Sequence, residues 1–209
     1  SEEPLSDLYT SGTDEENLMG EIRLNPTFED ELIINYSEGW SRDYYFRLAN
    51  LFTEYRHDFE TWSFKAEFEH LEQKSRNEWL KELTPSLSFD FTILEFPVFL
   101  LTEYQVVENE NSQVFYRHFE PKIQTDISFG MFSISAIIEH EYGDFDSGEK
   151  EFGESKNFWI GSELAVTVLK TTDIRLFLGK EKAGKVCRNG VCKKQPEFAG
   201  LRLDITTTF

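Results

Sequence analysis

The chain ends in Leu201-Arg202-Leu203-Asp204-Ile205-Thr206-Thr207-Thr208-Phe209, a stretch in which apolar and polar side chains alternate. Successive side chains of a β-strand point to opposite faces. One face of this strand would carry Leu201, Leu203, Ile205, Thr207 and Phe209, and the other Arg202, Asp204, Thr206 and Thr208. The first face suits contact with lipid and the second suits a polar interior, so the ending predicts a β-strand that crosses a membrane.

The same alternation recurs along most of the chain. Trp62, Phe64, Ala66 and Phe68 alternate with polar residues, and the stretches 83–91, 121–129, 132–138 and 174–178 repeat the pattern. This periodicity predicts about eleven strands, with boundaries good to a few residues. Their expected positions are 18–25, 29–37, 43–52, 58–71, 79–91, 96–107, 114–128, 130–143, 157–169, 173–181 and 198–209.

The expected connections are alternately short and long. Short ones fall near 25–26, 53–57, 92–95, 130 and 170–172, and longer polar ones at 38–42, 72–78, 108–113, 144–156 and 182–197. Outer-membrane barrels have short periplasmic turns and longer extracellular loops. We therefore expect an all-β fold, an antiparallel up-and-down transmembrane β-barrel of about 10–12 strands. It would occupy 18–209, after an acidic N-terminal loop or tail at 1–17.

An odd strand count is unusual, because bacterial single-chain barrels generally have an even number of strands. A count of eleven suggests that this chain is the C-terminal part of a larger barrel. A miscounted hairpin is the alternative.

The composition of the 209 residues is compatible with a barrel but does not require one. Hydrophobic residues make up 39% of the chain, and the mean hydropathy is −0.47. Only every second residue of a membrane strand faces lipid, so a half-polar average is expected. A spanning helix needs about 20 consecutive apolar residues, and the longest apolar stretch, 96–101, is far shorter. The net charge of −18 argues against nucleic acid as a partner.

The two cysteines predict a small hairpin. Cys187 and Cys192 enclose Arg188-Asn189-Gly190-Val191, in which Asn-Gly is typical of a hairpin turn. We expect a disulfide across this turn, which would agree with export because lasting disulfides form in oxidising compartments. A metal-binding or redox pair is the alternative, although no second pair of ligands lies nearby. The chain begins at Ser1 without an apolar signal segment, as expected of a cleaved exported protein and equally of a truncated one.

The last strand also resembles the signal that bacterial outer-membrane barrel proteins present to their insertion machinery. That signal is a C-terminal aromatic residue with apolar residues at alternate upstream positions, here Leu201, Leu203, Ile205, Thr207 and Phe209. The resemblance implies the bacterial outer membrane as the location. It also implies outer-membrane lipid and the insertion machinery as partners.

The last fifty residues resemble a family of uncharacterised outer-membrane proteins of Bacteroidota. Members of that family end in a strand, a Cys-x-x-Gly-Val-Cys hairpin, a Pro-x-x-x-Gly step and a strand closing in Phe. The matching stretches here are 158–161, 174–184, 186–192, which contains the cysteine hairpin, and 196–201, which contains the step from Pro196 to Gly200, followed by the final strand. The chain has Lys193 where the family usually has Arg. The resemblance covers about a quarter of the chain and brings no established activity, catalytic residue or cofactor with it.

Four histidines, His57, His70, His118 and His140, are candidates for catalysis or metal binding. Some barrel enzymes keep a His at the outer end of a strand, where we expect His140. Its neighbours Glu139 and Glu141 would lie on the opposite strand face, so their adjacency in sequence does not make a triad. We therefore expect no enzymatic activity, with an outer-membrane hydrolase as the minor alternative.

A calcium site is a further minor alternative. The acidic loop carries Asp144, Asp146, Glu149 and Glu151, whose oxygens suit a hard cation. It lacks the full spacing of a calcium loop. An ordinary solvated loop is the simpler interpretation, and no cofactor is expected.

Charged residues of both signs are expected on the lumen side of the strands. In a small barrel such charges generally pair and fill the interior, whereas in a wide barrel they line water. The expected lumen-facing residues are Arg47, Lys65, Glu67, Glu69, Lys122, Asp126, Glu163, Arg175, Arg202 and Asp204.

The sequence therefore predicts a non-enzymatic outer-membrane barrel that acts as a structural or accessory subunit of an outer-membrane protein complex. A porin-like channel for small solutes is the first alternative. A soluble secreted lipocalin-like or β-sandwich binding protein is the second, because alternation and a disulfide suit it equally well.

Overall fold

The computed structural model describes residues 15–41, 46–75, 78–111, 115–143, 155–168, 172–182, 184–188 and 191–207. These ranges form thirteen β-strands, which the alternating, aromatic-rich sequence favours. They contain no helix that could cross a membrane. The strands are β1 (Glu15–Leu24), β2 (Asp30–Ser41), β3 (Arg47–Asp58), β4 (Trp62–Lys74), β5 (Glu78–Ile93), β6 (Phe96–Asn111), β7 (Phe115–Phe129), β8 (Phe132–Gly143), β9 (Ser155–Val168), β10 (Thr172–Glu181), β11 (Gly184–Arg188), β12 (Val191–Gln195) and β13 (Phe198–Thr207).

Eleven strands form one antiparallel up-and-down sheet in the order β1 to β10 followed by β13. The remaining two, β11 and β12, pair only with each other as a hairpin. The expected all-β, antiparallel architecture is confirmed. The sheet is not closed into a barrel, because β1 and β13 are its edges and no described residue pairs with their free sides.

The two ends of the sheet differ. The connections 25–29, 59–61, 94–95 and 130–131 are short and lie at one end, which we call the turn end. The opposite end, where β1 begins and β10 ends, is the loop end. Several expected loops there are shorter than predicted, because β4 extends to Lys74 and β6 to Asn111. Residues 15–17, expected in the acidic N-terminal loop, belong to β1, while 144–154 lie outside the described residues.

The strands are strongly staggered. A line of directly paired residues starts at Glu31, near the turn end of β2, and ends at Gly200, near the loop end of β13. Accumulated stagger of this kind is what tilted strands in a barrel wall require. The line runs through Glu31, Arg56, Lys65, Ser88, Leu101, Gln124, Ile137, Gly161, Gly179 and Gly200.

The sheet has two very different faces. We call the face that carries Glu163 and Phe177 the inner face, and the face that carries Leu176 and Leu178 the outer face. Phe177 is 0% exposed and Glu163 1%, whereas Leu178 is 64% exposed. Because no second layer covers the inner face within the described ranges, its burial implies that the sheet curves toward that side.

A row of glycines marks a close approach of three neighbouring strands. Gly179 of β10 pairs with Gly161 of β9 on one side and with Gly200 of β13 on the other. Gly179 and Gly200 have φ of 142° and 132°, which side chains of L-residues rarely adopt. A Cβ at Gly161 would lie 2.5 Å from the Phe177 ring. The ring therefore packs directly on this bare stretch of backbone.

Candidate functional site

The inner face is a charged surface built from nearly every strand. All of the expected lumen-facing residues except one lie on it, because each pairs with or alternates in phase with Glu163 and Phe177. Those on it are Lys65, Glu67, Glu69, Lys122, Asp126, Glu163, Arg175, Arg202 and Asp204.

Arg47 was placed on the wrong face. It is the first residue of β3, pairs with Lys74 of β4 and lies on the outer face at the loop end. The expected strand 43–52 begins four residues before β3 does, so the sequence did not show which of its residues share a face. A shift of one residue in phase moves every side chain of a strand to the other face.

One inner-face cluster lies where β10 meets β13. The Arg202 guanidinium contacts Glu181 at 3.0 Å and Asp204 at 3.1 Å. It also lies 5.1 Å from the ring centres of Phe177 and Phe198. On the neighbouring strand pair, Arg175 lies 3.8 Å from Glu163. A stacked guanidinium with carboxylate partners is a compact arrangement that stabilises buried acidic groups.

A second cluster surrounds Lys182, the residue that follows β10. Its ammonium contacts Glu120 of β7, and it lies 3.4 Å from Glu141 and 3.8 Å from Glu139 of β8. It also lies 5.4 Å from the ring centre of Trp159 on β9. Burial alone would lower the pKa of Lys182, but the hydrogen bond to Glu120 and the nearby carboxylates outweigh it and raise that pKa. Lys182 therefore ties the start of the 182–197 connection to the inner face of three strands.

The same place contains the one group of metal-ligand side chains in the described part of the chain. The ligand atoms of His118, Glu120 and Glu141 lie within 4.8 Å of one another. His118 Nε2 is 3.1 Å from Glu120 Oε1. The Lys182 ammonium already lies among these carboxylates and supplies the positive charge that a metal would bring. We therefore describe this group as an ion-pair cluster.

Other inner-face charges are paired within the sheet. Lys65 donates to Glu67 at 2.9 Å, and Lys122 lies 3.5 Å from Glu103. Gln124 donates its amide to Asp126 at 3.2 Å. These contacts satisfy side chains that would be costly to bury alone.

A cavity of about 720 Å³ opens on the inner face near the turn end. Asp90, Phe99, Gln124, Asp126 and Ser128 contribute to its lining. Asp126 is 9% exposed and Gln124 3%, so the cavity has a polar floor. It is a recess that water could fill.

The outer face is apolar between two borders. At the loop end the first charged outer residues form a row across the sheet: Glu16, Glu38, Arg47, Glu72, Lys81, Glu108, Arg117 and Lys180. At the turn end Asp30 begins β2. Between these borders, the described residues of the outer face include no Asp, Glu, Lys or Arg. On β7 the outer-face residues are uncharged from Phe119 to Phe129, a span that matches the roughly 9–11 residues of a tilted membrane-spanning strand.

Aromatic side chains gather near both borders of this apolar band. Near the turn end, the Phe59 and Trp62 rings stack with their centres 3.9 Å apart, and the Phe129 and Phe132 rings stack with their centres 5.9 Å apart. Near the loop end, Phe119 stacks on Tyr142 at 5.2 Å, and the hydroxyls of Tyr104 and Tyr142 are 3.1 Å apart. Two aromatic girdles that flank an apolar band are typical of membrane barrels.

Polar networks lie just outside each girdle. At the loop end, the Tyr36 hydroxyl and Arg47 Nε each donate to Glu38 at 2.6 Å. These hydrogen bonds lower the pKa of Glu38.

At the turn end, Thr27 and Tyr55 donate to Asp30 at 2.6 Å each. His57 Nδ1 also lies 2.6 Å from this carboxylate. The hydrogen bonds from Thr27, Tyr55 and His57 lower the pKa of Asp30 to about 2.

His140 is on the outer face, as its position between two inner-face glutamates requires. Its Nδ1 lies 3.1 Å from the carbonyl oxygen of Asn157, and its ring stacks on Tyr142. Glu139 and Glu141 belong to the cluster around Lys182 instead. The arrangement around His140 is aromatic packing.

The structure places the other predicted site residues as follows. Leu201, Leu203, Ile205 and Thr207 share the outer face of β13, while Phe209 lies outside the described residues. The weak calcium candidate, Asp144, Asp146, Glu149 and Glu151, also lies outside them.

The cysteine hairpin is described by its backbone. Cys187 of β11 and Cys192 of β12 are directly paired, and direct pairing brings Cα atoms within the range that a disulfide spans. The structure describes the backbone of these two residues and not their side chains, so the disulfide stays a prediction.

No protein-family model matches the chain, and no curated protein is significantly similar to it. The resemblance to the Bacteroidota family therefore stays a prediction.

Sequence reasoning missed Lys182 and Phe177 as organising residues. Lys182 was expected in a polar loop, and nothing in its neighbourhood indicates three carboxylates on other strands. Phe177 could have been noticed, because alternation along β10 puts a large aromatic residue on the same face as Arg175, Arg202 and Asp204.

Proposed function

We propose that this protein is a non-enzymatic β-barrel of the bacterial outer membrane that serves as a structural or accessory subunit of an outer-membrane protein complex. The observation that carries this proposal is the outer face, which is uncharged between its two borders across eleven neighbouring, staggered strands. Its exposed residues are large and apolar, as in Leu178 at 64% and Leu201 at 66%. An apolar surface of this extent in water would be an aggregation site, whereas lipid would cover it.

The distribution of polarity disfavours the soluble carrier. A lipocalin-like or sandwich protein buries its apolar residues and exposes its charges. Here Glu163 and Glu181 are 1% and 2% exposed, while Ile160 and Leu203 are 53% and 59% exposed. This inside-out arrangement supports a membrane location.

The paired inner face favours a subunit role over a pore. Lys182, Arg175 and Arg202 each lie against carboxylates on neighbouring strands. Ion pairs of this kind join neighbouring strands and fill the interior of a small barrel, whereas a pore needs charges that line water. The polar recess near the turn end is the observation that keeps the porin-like channel as the second candidate.

The last strand would supply the insertion signal. Its outer residues Leu201, Leu203 and Ile205 are all exposed, so the machinery that inserts barrels could read them. Membership in the Bacteroidota family is part of the same proposal.

Cell fractionation followed by gel migration with and without boiling tests the proposal. The expected result is outer-membrane location with a heat-dependent shift, since folded membrane barrels resist detergent until heated. Purification from mild detergent then tests the subunit role, and we expect defined outer-membrane proteins to co-purify in fixed ratio. A solitary protein would contradict the subunit role, and a soluble, unshifted one would contradict the membrane location.

Conductance in planar bilayers separates the two candidates. A subunit with a filled interior should give no steps, whereas regular unitary steps would favour the channel. Asp126→Asn is the matched variant, because Asp126 lies in the recess and a conducting path there should respond to its charge.

A further inference from the structure

The recess near the turn end is lined by carboxylates and aromatic rings. Its acidic residues are Asp58, Asp90 and Asp126, and the described residues that line it include no Lys, Arg or His. Asp58 contacts Arg56 at 2.9 Å, whereas no described cation lies within ion-pair distance of the exposed Asp90. A recess with carboxylates and no basic residue in its lining attracts cations and repels anions.

Two of these acids stand on either side of an aromatic ring. Asp90 of β5 pairs directly with Phe99 of β6, and Phe99 pairs directly with Asp126 of β7. Direct partners share a face, and neighbouring strands are about 4.8 Å apart, so the backbones of the two acids lie about 10 Å apart. The curvature of the sheet toward the inner side brings their side chains closer together than their backbones. The row therefore presents a carboxylate at each end and an apolar ring between them.

Two buried hydroxyls beside this row have no hydrogen-bond partner. Ser88 precedes Asp90 by two residues on the same face, and Ser135 pairs directly with Asp126. They are 2% and 1% exposed, and neither Oγ has a partner within the described part of the chain. Both side chains point to the side of the sheet on which the recess opens. Because a buried polar atom without a partner is costly, a bound molecule that supplied one, directly or through a water, would be stabilised there.

We propose that the recess binds a linear polyamine, with one ammonium group at Asp90, another at Asp126 and the methylene chain over Phe99. The nitrogens of an extended four-carbon diamine lie about 6 Å apart, and hydrogen bonds of about 2.9 Å at both ends let it bridge carboxylates up to about 12 Å apart. Ammonium–carboxylate hydrogen bonds are strong because both partners are charged, and the face of an aromatic ring attracts cations. The cavity of about 720 Å³ leaves room for a longer polyamine and for water.

A single metal ion fits these residues less well. Calcium and magnesium require oxygen ligands at about 2.0–2.6 Å, whereas Asp90 and Asp126 are separated by the whole of β6. Within the described ranges, the group of metal-ligand side chains that do approach one another is His118, Glu120 and Glu141, which lies elsewhere. The inference goes beyond the subunit role proposed above and does not need it, because it rests only on residues of the inner face.

Calorimetric titration of the purified protein with 1,4-diaminobutane, in an uncharged detergent, tests the inference. We expect one diamine to bind per chain with a dissociation constant of about 1 mM or lower. Butylamine, which has the same chain length and one ammonium group, should bind about tenfold more weakly. Asp90→Asn should fold normally, because Asp90 is exposed, and should weaken diamine binding about tenfold while leaving butylamine binding less affected. Phe99→Leu should weaken the binding of both amines.

The matched control is Asp173→Asn. It removes the same charge from the inner face near the turn end but outside the recess, so diamine binding should not change. The inference would be overturned by absence of diamine binding up to about 10 mM, by equal affinities for the diamine and butylamine, by equal losses in Asp90→Asn and Asp173→Asn, or by calcium that binds more tightly than the diamine and is lost in Asp90→Asn. Cell fractionation reports on the membrane location separately, so each proposal can fail without the other.

Discussion

The packing of Phe177 on Gly161 gives the sharpest prediction about stability. The substitution Gly161→Ala would place a Cβ 2.5 Å from Cε2 and Cζ of the Phe177 ring. Real Cβ contacts of that length do not occur, so the ring or the backbone must move. The ring has little freedom, because it is 0% exposed and the Arg202 guanidinium lies 5.1 Å from its centre.

The expected cost follows from overpacking a buried site. Forcing one extra methyl group into a filled core generally costs about 1–3 kcal/mol, and we expect about 2 kcal/mol here. Phe177→Leu removes the two atoms that the new methyl group meets. In that background Gly161→Ala should cost less than about 0.5 kcal/mol, which corresponds to a coupling energy of about 1.5 kcal/mol.

The assay is urea unfolding of the protein in lipid vesicles, followed by tryptophan fluorescence. Gly20→Ala is the matched control, since Gly20 is also in a strand and a Cβ there has nothing within 4 Å. It should change the free energy of unfolding by about 0.5 kcal/mol or less. Equal effects of the two alanine substitutions, or additive effects of Gly161→Ala and Phe177→Leu, would refute the packing argument.

Three further predictions concern a turn, a carboxyl group and the lysine cluster. Glu95→Gly should raise the free energy of unfolding by about 1 kcal/mol in the urea assay, because Glu95 has φ of 73°; no gain would mean that the turn relaxes. Thr27→Val should raise the pKa of Asp30 from about 2 toward 3.8, measured by carboxyl NMR, since the Thr27 hydrogen bond is the largest cause of the low value. A lowered pKa stabilises the fold fully above pH 3.8 and loses that effect as the pH falls toward 2, so the variant should lose less stability across this window; an unchanged pKa would contradict the assignment. Lys182→Met should lower the free energy of unfolding by about 2 kcal/mol, because three carboxylates lose their shared cation. Lys182→Arg keeps the positive charge and should retain most of that stability. Equal losses in the two variants would argue against a charge effect.

The periodic parts of the fold could be predicted because one physical rule governs them. Alternation along 62–68, 83–91 and 121–129 placed the outer face correctly, since a strand with one apolar and one polar face must alternate. The predicted faces of strand β3 were wrong because Tyr44, Tyr45 and Phe46 are consecutive aromatic residues, so no alternation shows where the strand begins. Leu51 and Phe52 likewise put apolar side chains on both faces. Only pairing with β2 and β4 sets its phase, and pairing is not visible in one segment.

The inner-face clusters show a second limit. Lys182 meets Glu120, Glu139 and Glu141 because four strands curve around one point, and sequence separation says nothing about that curvature. The sequence also could not predict that the sheet is open. The number of strands in the sheet and the direction of its edge strands are known only after every strand is paired. Local alternation predicts a sheet with one apolar and one polar face, whereas the closure of that sheet and the pairing of its charges depend on how all the strands assemble.

The most direct test of the account is a nitroxide scan along 121–127 of β7 in native outer membranes, with Cys187 and Cys192 replaced by Ser. Oxygen accessibility, which reports contact with lipid, should be high at 121, 123, 125 and 127 and low at 122, 124 and 126. A flat profile, high accessibility at the even positions, or uniform access of a water-soluble quencher to the odd positions would contradict a lipid-facing outer surface.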